Sequence, residues 1–371
     1  MLIEENKLLA PFTTFSIGGP ARWFVQAASE EEIVEATAWA EERRAPLFVL
    51  GGGSNLLISD AGFDGLVLRV GLRGISLADA PEMLASAKPA SRTEQRIYRA
   101  AAGEEWDHCV QRAVEDGCAG IECLAGIPGT VGGTPVQNVG AYGQEVASAI
   151  ERVRAYDLRE RAFVEFPAVE CGFSYRHSRF NSVDRGRYVV ARVDYRLTPG
   201  GAPTLRYAEL QKALAAAETE GREPSLADVA AVVRRVRQSK GMLMVEGDPD
   251  CRSAGSFFKN PVVTEEQYQR IAAVHAALGL SGKAPPRFPA GPDGENLGRV
   301  KVPAAWLIEQ AGFSKGYAQG AAAVSSRHTL ALVNRGGAKA KEILALAEEI
   351  TAAVEMRFQI RLEMEPVMVG F

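Results

Sequence analysis

GIECLAGIPGTVGGTPVQNVGAYGQE, residues 120–145, holds seven glycines and two prolines with almost no charge. It is neither repetitive nor a flexible linker. Gly126, Gly129, Gly132, Gly133, Gly140 and Gly143 supply backbone that reaches positive φ or lies directly against a ligand. Bare amides presented in this way form nests that hold phosphate oxygens without a side-chain charge. Pro128 and Pro135 stiffen the path, while Gln137 and Asn138 offer hydrogen bonds suited to a flat heterocycle. A second segment of the same character, VLGGGSNLLISD (residues 49–60), follows an apolar run. One such segment reads equally well as tight turns in a β-rich fold. The pair favours a large phosphate-bearing cofactor laid across a groove.

The rest of the chain sets bounds on that reading. At 371 residues it is long for a single core, so two or three domains are expected. Apolar residues make up 47%, and 42 basic against 46 acidic side chains leave a net charge of −4. That balance argues against a general nucleic-acid binder, so an anionic ligand needs local basic groups. The opening MLIEENKLLAPFTTF is acidic where a signal peptide begins positive. No run approaches the roughly 18 apolar residues of a membrane span, so no membrane insertion is expected. The cysteines (Cys109, Cys118, Cys123, Cys171 and Cys251) are odd in number and lack C-x-x-C spacing. This indicates neither a disulfide framework nor a zinc site, and a reduced, cytoplasmic protein. Four histidines weaken a metal reading further, and no metal site is expected.

Periodicity gives an α+β class. Glu30 to Ala45 has helical spacing, with Ser29 as cap and Glu32 three residues on. PLFVLGGG and FDGLVLRV read as strands, and residues 97–117 as strand, turn and helix. Asp79 to Arg96 reads as an exposed loop or hairpin tip. ERVRAYDL, AFVEFPA and RYVVARVDYRL are strands, and Pro224 to Gly241 is an amphipathic helix capped by Ser225 and stopped by Gly241. The main domain boundary is placed just before or along that helix. Lys283 to Asn296 is another loop, Ala338 to Arg357 a long helix, and QIRLEMEPVMVGF a closing strand.

Four motifs place polar groups unusually. In CGFSYRHSRF, Tyr175 and Arg176 sit among aromatic residues; an arginine on an apolar strand suits a carboxylate, or equally a structural ion pair. In RSAGSFFKNP, small residues leave space around Ser256, with Asn260 following; the serine suits proton donation, although a turn serine is the plainer reading of the segment alone. No G-x-S-x-G elbow is present, which argues against an acyl-transfer serine. Lys240 closes a helix, where it suits an anionic ligand or the helix dipole. Glu363 and Glu365 share one face of the last strand, towards a cleft or towards solvent.

Taken together, TTFSIGGPA, LGGGSNLLISD, AGEEWDHCV, IECLAGIPGTVGGTPVQNVGAYGQEV, CGFSYRHSRF, RSAGSFFKNPVV, AAWLIEQAGF and LEMEPVMVG occur in the order found in one family. The chain resembles the UDP-N-acetylenolpyruvoylglucosamine reductases (MurB), flavoenzymes of bacterial cell-wall precursor synthesis, over essentially its whole length. The resemblance implies a two-lobed FAD-binding domain of the vanillyl-alcohol-oxidase type (1–75 and 76–223) and a smaller α+β substrate-binding domain (224–371). It implies noncovalent FAD, NADPH as hydride donor, and UDP-N-acetylglucosamine enolpyruvate as the acceptor reduced to UDP-N-acetylmuramate. It further implies a cytoplasmic monomer without a nucleic-acid partner.

Residue by residue, Ser256 matches the family's general acid, Arg176 the arginine pairing with the substrate carboxylate, and Glu365 the glutamate beside it. Tyr207 matches the loop tyrosine of the tyrosine-loop subtype, Lys240 the lysine at the diphosphate, and Tyr175 and Asn260 neighbouring substrate contacts. For the flavin, Gly52, Gly53, Ser54 and Asn55 match the pyrophosphate loop, with Ile127, Gly129, Gly132, Gly133 and Gln137 in the second stretch. Two departures stand out: Ala318 occupies the place of an expected polar substrate contact, with Gln319 beside it, and Lys283 to Arg299 is longer than the family pattern.

Overall fold

Strand Phe63–Val70, FDGLVLRV, shows how the first core forms. Leu66, Val67 and Leu68 in succession are fully buried, the mark of a strand covered on both faces. It pairs in parallel with Pro20–Ala27 on one side and Leu47–Leu50 on the other, and Ile3–Leu8 completes a four-stranded sheet. Helix Glu30–Glu42 connects two of these strands, burying Ile33, Ala36, Thr37 and Ala40. Its start is as the sequence indicates: Ser29 accepts from the Glu32 amide at 3.3 Å, while Glu32 accepts from the Ala28 amide.

The computed structural model describes residues 1–79, 95–216, 222–277, 279, 284–290 and 298–371. Of the expected loop 79–96, residues 80–94 lie outside these residues; of the stretch 283–299, residue 283 and residues 291–297 do, and within the expected loop 283–296 Phe288–Pro289 is a short strand rather than loop. By internal contacts the chain forms two units: Met1–Lys7, Pro20–Gly53 and Phe63–Gln238 make the first, and Leu8–Gly19, Ser54–Gly62 and Ser239–Phe371 the second.

In the first unit a mainly antiparallel sheet runs Ala162–Pro167, Ile150–Asp157, Tyr188–Pro199, Arg96–Ala101, Ile75–Asp79. Trp106, on helix Trp106–Glu115, anchors its core, 5.5 Å from the Tyr195 ring and donating its indole N–H to Leu124 O. Helix Leu226–Ser239 is capped by reciprocal Ser225 and Asp228 bonds and ends at Gly241, at φ +68°. Its Val229, Val232 and Val233 are buried in the first unit's core, and the last stretch of the second unit begins at Ser239.

The second unit is built from short sheets and longer helices. Val262–Thr264, Arg299–Lys301 and Phe288–Pro289 form one small sheet; Ala318–Gln319, Ala322–Val324 and Leu332–Asn334 form another. Helices Glu265–Ala277, Ala304–Gln310 and Ala340–Phe358 pack on a core containing Phe257, Phe258, Leu307 and Leu346. The C-terminal segment is a strand only over Val367–Val369, shorter than expected, and it pairs in parallel with Leu56–Ile58. Among the described residues no helix is long and apolar enough to cross a membrane.

Candidate active site

Within the first unit the two glycine segments meet backbone to backbone. A Cβ on Gly52 would lie 2.5 Å from Gly129 Cα and 2.9 Å from Thr130 N, so only glycine permits the crossing. Gly53 (φ +63°) and Gly129 (φ +128°) take conformations that side chains rarely adopt. A Cβ on Gly132 would press on Ala102 Cβ at 2.7 Å, whereas Gly133 is exposed, with nothing within 4 Å of its Cβ position. Ile127 and Gln137 are half-buried at the two ends of this stretch. Thr130 Oγ1, at the same crossing, is buried without a hydrogen-bond partner among the described residues.

Asn138 corrects a sequence reading. It is 1% exposed and all its hydrogen bonds go to the protein: to Glu145 Oε2 (2.9 Å), to Ser174 O (3.0 Å), and from the Ala147 amide (3.1 Å). No heterocycle is read by a side chain so engaged. Arg176 is also not on a strand. Ser174 and His177 exchange backbone bonds of 3.1 Å, placing Tyr175 and Arg176 at the tip of a two-residue turn. Arg176 sits at φ +54° and donates from Nη2 to Gly140 O at 2.9 Å; its guanidinium lies 5.3 Å from the exposed Tyr175 ring.

Tyr207 precedes helix Ala208–Ala215 and is 46% exposed, its ring edge-to-face with Tyr142 at 5.8 Å. Burial pushes the Tyr142 hydroxyl up to about 12, partly countered by the positive charge of Arg237 and, less, by a hydrogen bond with it. Arg237 is buried on its helix and donates to Gly126 O at 3.0 Å. The base of the Tyr207 segment is tied down as well. Glu122, fully buried, accepts from the amides of Gly120 and Thr204 and from Gln144 Nε2. Sequence reading missed Glu122, Tyr142 and Arg237, because nothing in a linear pattern distinguishes a buried ionic anchor from a surface charge.

The second unit collects a different set. Asn55 Nδ2 donates to Glu365 O (3.3 Å), and Val367 N donates to Asn55 O (2.9 Å). The Glu365 amide donates to Phe257 O (2.9 Å), Phe258 bridges Met364, and Lys259 N donates to Glu363 O. Ser256, half-buried after Gly255 (φ +72°), therefore lies on a segment running antiparallel to Glu365. Its hydroxyl makes no hydrogen bond among the described residues. Thr14 Oγ1 ties this segment to the loop by donating to Ser253 O (2.5 Å), with Ser54 O at 3.5 Å. Glu363 and Glu365 lie ahead of the final strand rather than on it, and they differ: Glu363 is exposed and paired with Lys259, whereas Glu365 is half-buried.

Asn260 spends its side-chain oxygen on the Ala304 amide (2.9 Å), starting helix Ala304–Gln310, while its Nδ2 makes no hydrogen bond among the described residues. Half-buried Lys240 is followed by Gly241, whose Cβ would lie 3.0 Å from Arg327 Nη2; Arg327 in turn pairs with Asp248 and Asp250. Gln319 is exposed and donates to Glu349 on helix Ala340–Phe358, so its amide is already engaged.

These residues fit a flavin dinucleotide. The glycine crossing leaves bare amide backbone, with open space at Gly133 where a side chain would stand, as the diphosphate of such a cofactor requires. Residues 21–159 match the FAD-binding domain family. Together with the mixed sheets and helices, this makes the chain an FAD-dependent oxidoreductase of α+β fold.

Residues 248–369 match the C-terminal domain of UDP-N-acetylenolpyruvoylglucosamine reductase. The UDP-N-acetylenolpyruvoylglucosamine reductase of Streptomyces coelicolor is 46% identical over 98% of this chain and 89% of that relative. The Thermobifida fusca reductase is 44% identical over 99% of this chain and 98% of its own length. The crystal structure of the reductase (MurB) from Thermus caldophilus superposes with a TM-score of 0.62 at 26% identity, covering 100% of both chains. The chain belongs to the UDP-N-acetylenolpyruvoylglucosamine reductase family, enzymes of peptidoglycan precursor synthesis.

Proposed function

We propose that the chain reduces UDP-N-acetylglucosamine enolpyruvate, the compound its family name denotes, to UDP-N-acetylmuramate with NADPH. FAD, when bound, would supply the two-electron chemistry that links NADPH to the terminal vinyl carbon of the enolpyruvyl ether. Gly52, Gly53, Ser54, Asn55, Ile127, Gly129, Gly132, Gly133 and Gln137 would hold the cofactor. Lys240, Tyr175, Tyr207 and Asn260 would bind the substrate, with Tyr207 over the uridine diphosphate.

Ser256 donates its hydroxyl proton to the carbon adjacent to the one that receives hydride, balancing the addition across the double bond. An aliphatic alcohol is a weak acid, so this step needs a strongly basic enolate held close to the oxygen. Arg176 pairs with the substrate carboxylate, where charge builds as hydride adds, and Glu365 in protonated form shares that load. The observation that carries the reading is the antiparallel pairing of the Ser256 and Glu365 segments, closed by the Phe257–Glu365 backbone bond at 2.9 Å. A serine hydroxyl and a carboxyl group are thereby held on adjacent extended segments, although they stand far apart in the sequence.

Anaerobic stopped-flow absorbance at the flavin band tests it, adding NADPH first and the enolpyruvyl sugar second. Bleaching followed by recovery supports the two-stage reaction; bleaching without recovery would mean another acceptor. Ser256→Ala should leave the NADPH stage nearly unchanged and slow recovery by about 100-fold or more. Equal losses in both stages would remove Ser256 from the acid role.

A further inference from the structure

We propose that Asn138 is a positioning residue for Arg176, an inference that rests on reading Arg176 as the partner of the substrate carboxylate. Arg176 occupies a demanding position. It is a non-glycine residue at φ +54°, at the tip of a turn only two residues long. Nothing in such a turn alone fixes where its guanidinium points.

Asn138 supplies what the turn lacks. One Nδ2 proton goes to Ser174 O (3.0 Å), the carbonyl that opens the turn. The other goes to Glu145 Oε2 (2.9 Å), and Oδ1 accepts from the Ala147 amide (3.1 Å). Asn138 itself takes φ +45°, a conformation asparagine tolerates, which turns its amide towards all three partners. Two residues later Gly140 O accepts from Arg176 Nη2 (2.9 Å). A Cβ on Gly140 would fall 2.7 Å from Glu145 Cγ and 3.4 Å from Arg176 Nη1, so the Asn138 partner and the arginine flank one glycine. On the far side Asn181 Nδ2 holds Arg176 O at 3.1 Å. The glycine-rich segment thus fixes both the base of the arginine's turn and the direction of its side chain. Bidentate pairing with a carboxylate depends on that direction.

The test uses the holoenzyme and Asn138→Gly, which tolerates the positive φ and removes only the side-chain bonds. Flavin reduction by NADPH and reoxidation by UDP-N-acetylglucosamine enolpyruvate are timed separately for wild type, Asn138→Gly, Arg176→Ala and the double variant. Asn138→Gly should slow reoxidation roughly ten- to hundred-fold and leave reduction within about two-fold. Added to Arg176→Ala, it should cost less than about two-fold more, because its effect runs through the arginine.

If Asn138→Gly slows both stages alike, or its full penalty persists without the arginine, Asn138 is a general structural residue and the proposal fails. If Arg176→Ala itself reoxidises normally, the carboxylate reading of Arg176 fails, and this proposal with it. Asn138→Ser, which keeps a hydrogen-bonding side chain, serves as a second variant should the glycine form not fold. It should show the same separation of stages at smaller amplitude, and equal slowing of both overturns the proposal.

Discussion

Gly52 has the least freedom to change of any glycine in the candidate cofactor loop, since the Gly129 backbone occupies the place of its side chain. Gly52→Ala should separate the two loops, costing about 1–3 kcal/mol and most of the bound flavin. Gly133→Ala, where a Cβ meets no protein atom within 4 Å but enters the space the cofactor needs, is the matched control for stability alone. The Tm of the flavin-free proteins would show whether the two variants differ; equal loss of Tm would refute the backbone-crossing account. Asp157 makes a separate prediction. Its carboxylate receives Arg187 and the Arg159 and Glu160 amides, and chiefly the Arg187 bonds bring its pKa from 3.8 down to about 2. A depressed carboxyl lends stability that is present above its ordinary pKa and lost as pH falls towards the lowered one. Asp157→Asn should therefore lower Tm at neutral pH and reduce the further loss of Tm between about pH 4 and pH 2. Parallel Tm–pH curves for the two proteins would exclude that role.

At the level of elements, helix Ala340–Phe358 is started by a residue far away in sequence. The Asp60 carboxylate accepts from the Ala340 amide (2.8 Å) and the Lys341 amide (3.2 Å), using the positive end of the helix dipole and two of its unpaired N–H groups. Asp60 closes the motif VLGGGSNLLISD, so a segment that begins as a cofactor loop ends as a helix cap. Asp60→Ala should cost about 1 kcal/mol, and chemical denaturation would measure it. A change below the measurement error would show that water replaces the carboxylate fully. Sequence periodicity gave this helix as Ala338 to Arg357, close to the observed span, because an amphipathic stripe of 19 residues is a strong local signal. It could not give the cap. The final strand was over-read for the opposite reason: alternation continues from Gln359, but only Val367–Val369 finds a partner strand.

On the scale of the molecule, the second unit is assembled from three stretches of chain. Leu8–Gly19 and Ser54–Gly62 join Ser239–Phe371, contributing Phe15, Ile17 and Leu57 to its core and the partner strand of Val367–Val369. A fragment of residues 239–371 lacks those side chains, that strand and the Asp60 cap. It should not fold alone, although a family match to 248–369 marks most of it as a domain. Far-ultraviolet circular dichroism and an amide NMR spectrum would test this, and a well-dispersed spectrum from the fragment would contradict it.

Much of this protein is legible in one dimension. Helices with wide apolar faces, strands of β-branched residues and the two glycine loops depend on neighbours within a few residues, so local pattern suffices to place them. Ser256, Arg176 and Glu365 were singled out by their unusual local settings, and their roles came from the order of motifs along the chain. Tertiary structure decided what the same residue types are for. Asn138 and Gln137 look alike in the sequence, yet burial commits the Asn138 amide to Glu145, Ala147 and the carbonyl that opens the Arg176 turn. Glu122 is an ordinary acidic residue until folding encloses it among three donors. Asn55 and Glu365 become neighbours only because two short strands pair across most of the chain's length. Such contacts depend on long-range closure, which no local propensity encodes.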